Sequence, residues 1–351
     1  MKKLLILSGK GGTGKTTTAA AFINLSKARA FADCDVDAPN LHLIGHFDNK
    51  PSTKDFIGAE KAVIDTAKCI GCGLCLSKCR FDAISQTGKS FSVTDYACEG
   101  CGLCAYLCPQ QAIQMVEDVA GFQQLYHKKA ELYDKNIPSV DLDARGLLNV
   151  MKNSPISVAQ NLNDNVNTNV LSKTEEVKPI FNTTNDNNHT DDEIVFSTAR
   201  LKMGRGNSGK LVTAVKSDLL TNAPQTELAI IDGSPGLGCP VIASMNGVDL
   251  ALVVAEPSLS GFSDLERLIR AAKGFRVKLA VCVNKWDISA EATKAIEAFC
   301  KEHQLPFLGR IPYDPMANKA INNGISVVQI DCPAGHALKE IYAQTLKLLN
   351  T

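Results

Sequence analysis

Residues 4–21 read Leu4-Leu5-Ile6-Leu7-Ser8-Gly9-Lys10-Gly11-Gly12-Thr13-Gly14-Lys15-Thr16-Thr17-Thr18-Ala19-Ala20-Ala21. Four consecutive apolar residues predict a strand covered on both faces, and the alanine-rich run beyond the glycines predicts a helix. Strand, glycine loop and helix together form a phosphate-binding loop. Backbone N–H groups at the helix N-terminus close around phosphate oxygens there. Lys15 is placed to reach the outer phosphates and the Thr16 hydroxyl to ligate Mg²⁺, so Gly9 through Thr17 are the expected nucleotide contacts. A secretory leader is the competing reading of Met1-Lys2-Lys3 and the apolar run. It fails because the run is too short and passes directly into glycines.

A second pattern occupies residues 69–108. Cys69, Cys72, Cys75 and Cys79 follow the spacing Cys-x2-Cys-x2-Cys-x3-Cys, as do Cys98, Cys101, Cys104 and Cys108, the last before Pro109. This is the spacing of bacterial ferredoxins, in which the fourth cysteine of each run serves the other cluster. The expected ligand sets are Cys69, Cys72, Cys75 and Cys108 for one [4Fe-4S] cluster, and Cys98, Cys101, Cys104 and Cys79 for the other. Disulfides suit neither eight clustered thiols nor a chain without a secretory signal, and zinc knuckles use a longer spacer between Cys-x2-Cys pairs. The first run ends in Cys79-Arg80 where the pattern usually has proline. A cation beside Cys79 should raise the potential of the cluster that this cysteine holds.

Lys10, directly after the first glycine, gives the loop its deviant form. With it the sequence resembles the MinD-like P-loop ATPases, which include chromosome-partition ATPases, iron-sulfur carrier ATPases and the nitrogenase iron protein. The resemblance implies a doubly wound, mostly parallel α/β sheet that binds ATP and Mg²⁺ in a nucleotide-dependent homodimer. Lys10 would reach the phosphates held by the partner, as an arginine finger does in other nucleotide enzymes. Asp33-Cys34-Asp35-Val36-Asp37-Ala38-Pro39-Asn40 resembles switch I, with Asp35 orienting the attacking water. Leu228 to Gly236 resembles a buried strand running into switch II, with Asp232 reaching Mg²⁺ through water and Gly236 turning its N–H toward the γ-phosphate. Leu250–Glu256 and Leu279–Val283 read as further strands. Asn284, after the second of these, and Pro312, within Gly309–Pro315, are implied to flank the base. Asn284-Lys285-Trp286-Asp287 also matches the guanine-reading motif, so ATP rests on the family likeness.

The 351 residues suffice for about two domains. The expected organisation is an ATPase domain in two parts, residues 1–58 and 195–351, interrupted by a small α+β ferredoxin domain over 59–118. Residues 119–194 are expected to form an insertion. Within it a short helix is read over Leu142–Met151, and the asparagine-rich stretch from about 155 to 192 is too poor in apolar residues to repay its ordering entropy. Gly204 to Leu211 reads as a return loop into the sheet. The C-terminal Leu338, Ile341, Tyr342, Leu346 and Leu349 recur at helical spacing and predict a closing core helix.

Lys plus Arg and Asp plus Glu are 37 each, so no net basic field draws nucleic acid. No apolar stretch is long enough for a membrane span, and the thiol-rich chain is expected to be cytoplasmic. Cys239, seven positions after Asp232, is expected to be a buried structural thiol. Three functions fit: an ATPase coupled to electron transfer through two clusters, an iron-sulfur or metallocofactor assembly ATPase, and a positioning ATPase with redox-sensing clusters. The first two imply a redox or cofactor-assembly protein as partner.

Overall fold

The computed structural model describes residues 1–45, 47, 50–129 and 193–351. Leu4, Leu5, Ile6 and Leu7 have no solvent exposure, because strand β1 (Lys2–Ser8) runs through the interior of a large sheet. Alternation along the strand sends Leu4 and Ile6 into the core on one face and Leu5 and Leu7 into the core on the other. Each such burial contributes about 1.5–3 kcal/mol, so this one run anchors both helical layers.

From β1 the chain passes through α1 (Lys15–Ser26), β2 (Ala30–Asp33), α2 (His42–Gly45) and β3 (Ser52–Ile57). A cysteine-rich module follows, built from β4 (Lys61–Ile64), α3 (Leu74–Lys78), β5 (Ile84–Thr87), β6 (Ser90–Val93), α4 (Leu103–Leu107) and β7 (Ile113–Val116). The chain re-enters the large sheet through β8 (Val119–Lys129) and β9 (Glu193–Leu201), which leads to α5 (Ser208–Asn222). Strands then alternate with helices: β10 (Leu228–Pro235), α6 (Cys239–Met245), β11 (Leu250–Ala255), α7 (Leu259–Ala272), β12 (Lys278–Asn284), α8 (Ala290–Glu302) and β13 (Phe307–Ile311). Helices α9 (Pro315–Asn322) and α10 (Pro333–Asn350) close the chain.

Among the described residues the sheet order is β13-β12-β11-β1-β10-β2-β9-β8-β3. It is parallel from β13 to β9, and β8 runs antiparallel to both its neighbours. The expected doubly wound, mostly parallel fold is therefore the one observed. Ser258, Ser289 and Asp314 start α7, α8 and α9 by accepting the backbone N–H of Gly261, Ala292 and Met316. Leu338, Ile341 and Leu349 of α10 are buried, and the Tyr342 ring meets Phe22 edge-on at 5.0 Å, so α10 is a core helix.

Val119–Lys129 lies within the expected insertion but forms a strand of the main sheet. Gly121 pairs with Leu201 and Leu125 with both Ser197 and Ser52, while Ala120 and Leu125 are buried. Aromatic packing explains the placement, since the Tyr126 ring stacks on Phe196 at 5.5 Å, beside Phe31. The helix read over Leu142–Met151 and the stretch from about 155 to 192 lie outside the described residues.

The module has two antiparallel pairs, β4 with β7 and β5 with β6. Its buried apolar centre is small: Ala62, Ala83, Cys98 and Ile113. Each short helix begins after a left-handed glycine, Gly73 (φ 73°) before α3 and Gly102 (φ 74°) before α4.

Candidate functional site

Strands β1, β10 and β2 lie side by side, which brings the loop after Ser8, Asp232 and Asp33 to the carboxyl edge of the sheet, where ligands of open α/β sheets bind. Gly14 has φ 93°, and a Cβ there would meet Asn284 Nδ2 at 2.2 Å, so backbone and space both require glycine. Lys15 Nζ donates to Asp232 Oδ1 at 2.6 Å, and Thr16 Oγ1 donates to Asp232 Oδ2 at 2.7 Å. One fully buried carboxylate thus holds both side chains that the loop assigns to phosphate and metal. Burial opposes the Lys15 charge, yet Asp232, with Asp33 and Asp35, keeps its pKa above the ordinary lysine value. Burial pushes the Asp33 carboxyl up, and the neighbouring Asp232 pushes it further. Asp33 accepts the N–H groups of Asp35 at 3.0 Å and of Asn40 and Leu41 at 2.9 Å, and so shapes the loop that carries Asp35.

A cleft above this edge is lined by Lys10, Gly11, Gly12, Gly14, Lys15, Thr16, Thr17, Asp35, Asn284 and Pro312. Gly9, Thr13, Asp232 and Gly236 do not line it. Gly9 packs against Asp264, Thr13 is buried, and the Gly236 N–H donates to the Ser8 carbonyl at 3.1 Å. Asn284 lines the cleft, and its Nδ2 donates to the Thr13 carbonyl at 2.7 Å, so it also braces the loop. Asp287 Oδ1 accepts the Tyr313 N–H at 2.7 Å, which ties the loop after β12 to the one after β13.

The eight cysteines of the module divide between two cavities. One is lined by Cys69, Cys72, Cys75 and Cys108; the other by Cys98, Cys101, Cys104 and Cys79. The two cavities are alike in size, about 20 Å³ each. Burial raises the Cys75 and Cys104 thiol pKa values, and in each case two cysteines of the same run stand near enough to add to the shift. Gly100 (φ 67°) lies so close to the Glu60 carbonyl that a Cβ would sit 2.1 Å from its oxygen, which fixes the second cysteine loop against the module's first strand. Among the described residues no three His, Cys, Asp or Glu side chains converge as ligands of a single metal ion would. A four-iron cluster instead meets four thiolates at separate corners, and each cavity has four cysteines on its wall.

The family model for the CobQ/CobB/MinD/ParA nucleotide binding domain matches residues 4–327. The chain belongs to this MinD/ParA family. A Methanocaldococcus jannaschii relative, Uncharacterized protein MJ0578, is 27% identical over 348 residues, covering 97% of this chain and 95% of its own. The Iron-sulfur cluster carrier protein of Pyrococcus furiosus is 31% identical over 150 residues, covering 38% of this chain and 50% of that protein. The cell division ATPase MinD of Pyrococcus furiosus superposes with a TM-score of 0.48 at 14% identity, covering 99% of each chain.

Within this MinD/ParA chain the structure also gives site contacts to residues that the sequence named only within longer segments. Lys285 Nζ donates to the Gly12 carbonyl at 3.2 Å and lies 3.7 Å from Glu256 Oε1. Glu256 ends the strand beside β1 and holds Lys10, whose Nζ also reaches Ser258 and Ser260. Asn40, Tyr313 and Asp314 line the cleft as well. Glu256 was findable, because it ends a strand already expected to point at the site. Cys239 departs from expectation: it is exposed, as the first residue of α6, with its Cβ 3.2 Å from where a Cβ on Gly209 would stand. Among the described residues no helix is long and apolar enough to cross a membrane.

Proposed function

We propose that the chain is an iron-sulfur ATPase that binds and hydrolyses ATP in a nucleotide-sandwich homodimer and couples this to electron transfer through two [4Fe-4S] clusters. The observation that carries the reading is the sorting of eight cysteines into two cavities with the interleaved membership expected of a two-cluster ferredoxin, on the same chain as a MinD/ParA phosphate loop. The thiolates of Cys69, Cys72, Cys75 and Cys108 would hold one cluster and those of Cys98, Cys101, Cys104 and Cys79 the other. Bound there, the clusters supply one-electron transfer.

For hydrolysis, Lys15 neutralises phosphate charge, Thr16 and Asp232 hold Mg²⁺, Asp35 orients the attacking water and Lys10 acts on the nucleotide of the partner protomer. Nucleotide and Mg²⁺ must draw Lys15 and Thr16 away from Asp232, which exchanges one set of charge-assisted hydrogen bonds for another. ATP is favoured over GTP because Asp287, the residue a guanine would need, is engaged by the Tyr313 N–H and does not line the cleft. Anaerobic reconstitution tests the reading. About eight irons per chain, ATPase activity and cluster spectra that differ between nucleotide-free, ADP and non-hydrolysable ATP states are expected. Fewer than about four irons per chain would overturn the cluster assignment.

A second reading, cofactor assembly, draws on relatives printed as iron-sulfur cluster carrier proteins. Beyond the two cysteine runs, however, Cys34, Cys282, Cys300 and Cys332 are buried and only Cys239 is exposed, which leaves one thiol per chain for a transferable cluster.

A further inference from the structure

The loop between β9 and α5 holds the cysteine-rich module through the Arg205 side chain. Arg205 is 10% exposed. Its guanidinium donates to the Asp95 carbonyl at 2.8 Å and to the Asp95 carboxylate, and its Nε lies 3.1 Å from Asp118 Oδ2. Asp95 belongs to the turn that presents Cys98, whose N–H donates to the Thr94 carbonyl at 3.1 Å. Asp118 sits where the module hands the chain back to the main sheet, between β7 and β8. The loop lies against the module at ordinary contact distance: a Cβ on Gly204 would stand 3.5 Å from Tyr96 Cβ, and one on Gly206 3.9 Å from Glu99 Oε2.

The other end of this loop is the N-terminus of α5, and α5 packs on α6 at Gly209, where a Cβ would lie 3.2 Å from Cys239 Cβ. Helix α6 begins three residues after Gly236, the switch II glycine bonded to Ser8 at the end of β1. A displacement of Gly236 toward a phosphate therefore pulls on α6, then on α5 through the Gly209–Cys239 contact, then on Arg205. Rigid helices in close contact transmit such a displacement rather than absorb it.

We propose that Arg205 is a positioning residue that couples the nucleotide state of switch II to the cysteine loop of Cys98, Cys101 and Cys104. The proposal rests on the functional reading above. Its bidentate grip on Asp95 makes the coupling specific to arginine, because lysine presents one charge and no planar fork. Linkage requires reciprocity: if nucleotide alters the redox equilibrium of that cluster, reduction alters nucleotide affinity by the same factor.

The test uses the full-length reconstituted protein. Affinity for a non-hydrolysable ATP analogue is measured with the clusters oxidised and after reduction by dithionite, alongside hydrogen exchange of residues 94–99 with and without the analogue. In the unmodified chain the two affinities should differ by about fivefold or more, and the analogue should change exchange in 94–99. In Arg205→Lys the ratio should fall toward one and the exchange change should vanish, with iron content retained. Gly209→Ala, whose added methyl meets Cys239 rather than the module, should do the same by loosening the contact of α5 with α6, and it decides the matter if Arg205→Lys loses iron. A variant ratio equal to that of the unmodified chain overturns the role of Arg205 and leaves the ATPase reading standing. A ratio of one in the unmodified chain overturns both.

Discussion

Lys10 Nζ lies 2.5 Å from Glu256 Oε2 of the same chain. The lysine that the family likeness assigns to the partner's phosphates is held here by a carboxylate at the end of the neighbouring strand, with Ser258 and Ser260 as further acceptors. The hydrogen bond and charge of Lys10, with Lys285 adding, keep the Glu256 pKa below the ordinary carboxylate value against its partial burial. In the proposed homodimer Glu256 would be a restraint that dimerisation must release. The pair is partly exposed, 34% and 22%, so solvent screens it to about 1 kcal/mol or less. Glu256→Gln should strengthen the nucleotide-dependent dimer by up to about fivefold, read by sedimentation at graded protein concentrations. Lys10→Ala should lower ATP turnover by about a thousandfold while leaving ATP binding within a few-fold. A weaker dimer in Glu256→Gln would show that the carboxylate supports the interface instead.

The Lys15–Asp232 pair differs in kind because both groups are removed from water, at 6% and 0% side-chain exposure. Asp232→Ala leaves a buried ammonium without its main partner and should cost about 3–5 kcal/mol, measured by urea unfolding of the nucleotide-free protein. Lys15→Met combined with Asp232→Leu should recover most of that loss, since an apolar pair of similar volume avoids the desolvation penalty. Neither variant should bind ATP. Recovery of stability without recovery of binding separates the pair's structural weight from its role in the site.

Much of this was legible because it is local in sequence. The phosphate loop and both cysteine runs are contiguous spacings, and the four apolar residues of β1 announce a buried central strand. What escaped depends on contacts between distant residues. Lys15 and Asp232 are 217 positions apart, and nothing near either one says that the carboxylate expected to reach Mg²⁺ also holds the loop lysine. Strand β8 escaped because Phe122-Gln123-Gln124-Leu125-Tyr126 alternates weakly, and its place is fixed by Phe196 on another strand. Arg205 was read as part of a return loop, which it is, but its aspartate partners become visible only once the cysteine module is docked. Cys239 was misjudged because a small apolar thiol is usually buried, whereas the first residue of a helix at the sheet edge is not.

Base selectivity has a direct test. With Asp287 bonded to the Tyr313 N–H and Asn284 to the Thr13 carbonyl, the Asn-Lys-x-Asp letters hold loops together. ATP should bind at least tenfold more tightly than GTP, about 1.4 kcal/mol, by competition calorimetry. Asp287→Ala should leave that ratio unchanged while loosening the 311–314 segment. A collapse of the ratio in Asp287→Ala, or a preference for GTP, would assign the carboxylate to the base.

The cavity memberships make a prediction that sequence proximity would get backwards. Cys108 ends the second cysteine run but lines the cavity of Cys69, Cys72 and Cys75, and its sulfur accepts the Ala112 N–H at 3.3 Å there. Cys108→Ser should therefore remove the cluster of the first run, so that iron falls from about eight to about four per chain. Adding Cys72→Ser to that variant should cause no further loss, because both substitutions strike the same cavity. Cys72→Ser combined with Cys79→Ser should abolish both clusters, because Cys79 lines the other cavity. Ligation of each cluster by its own run would reverse the outcome, with the Cys72–Cys79 pair sparing one cluster and the Cys72–Cys108 pair losing both. Iron analysis of these two double variants thus reads the crossing of the chains without any assumption about potential or partner.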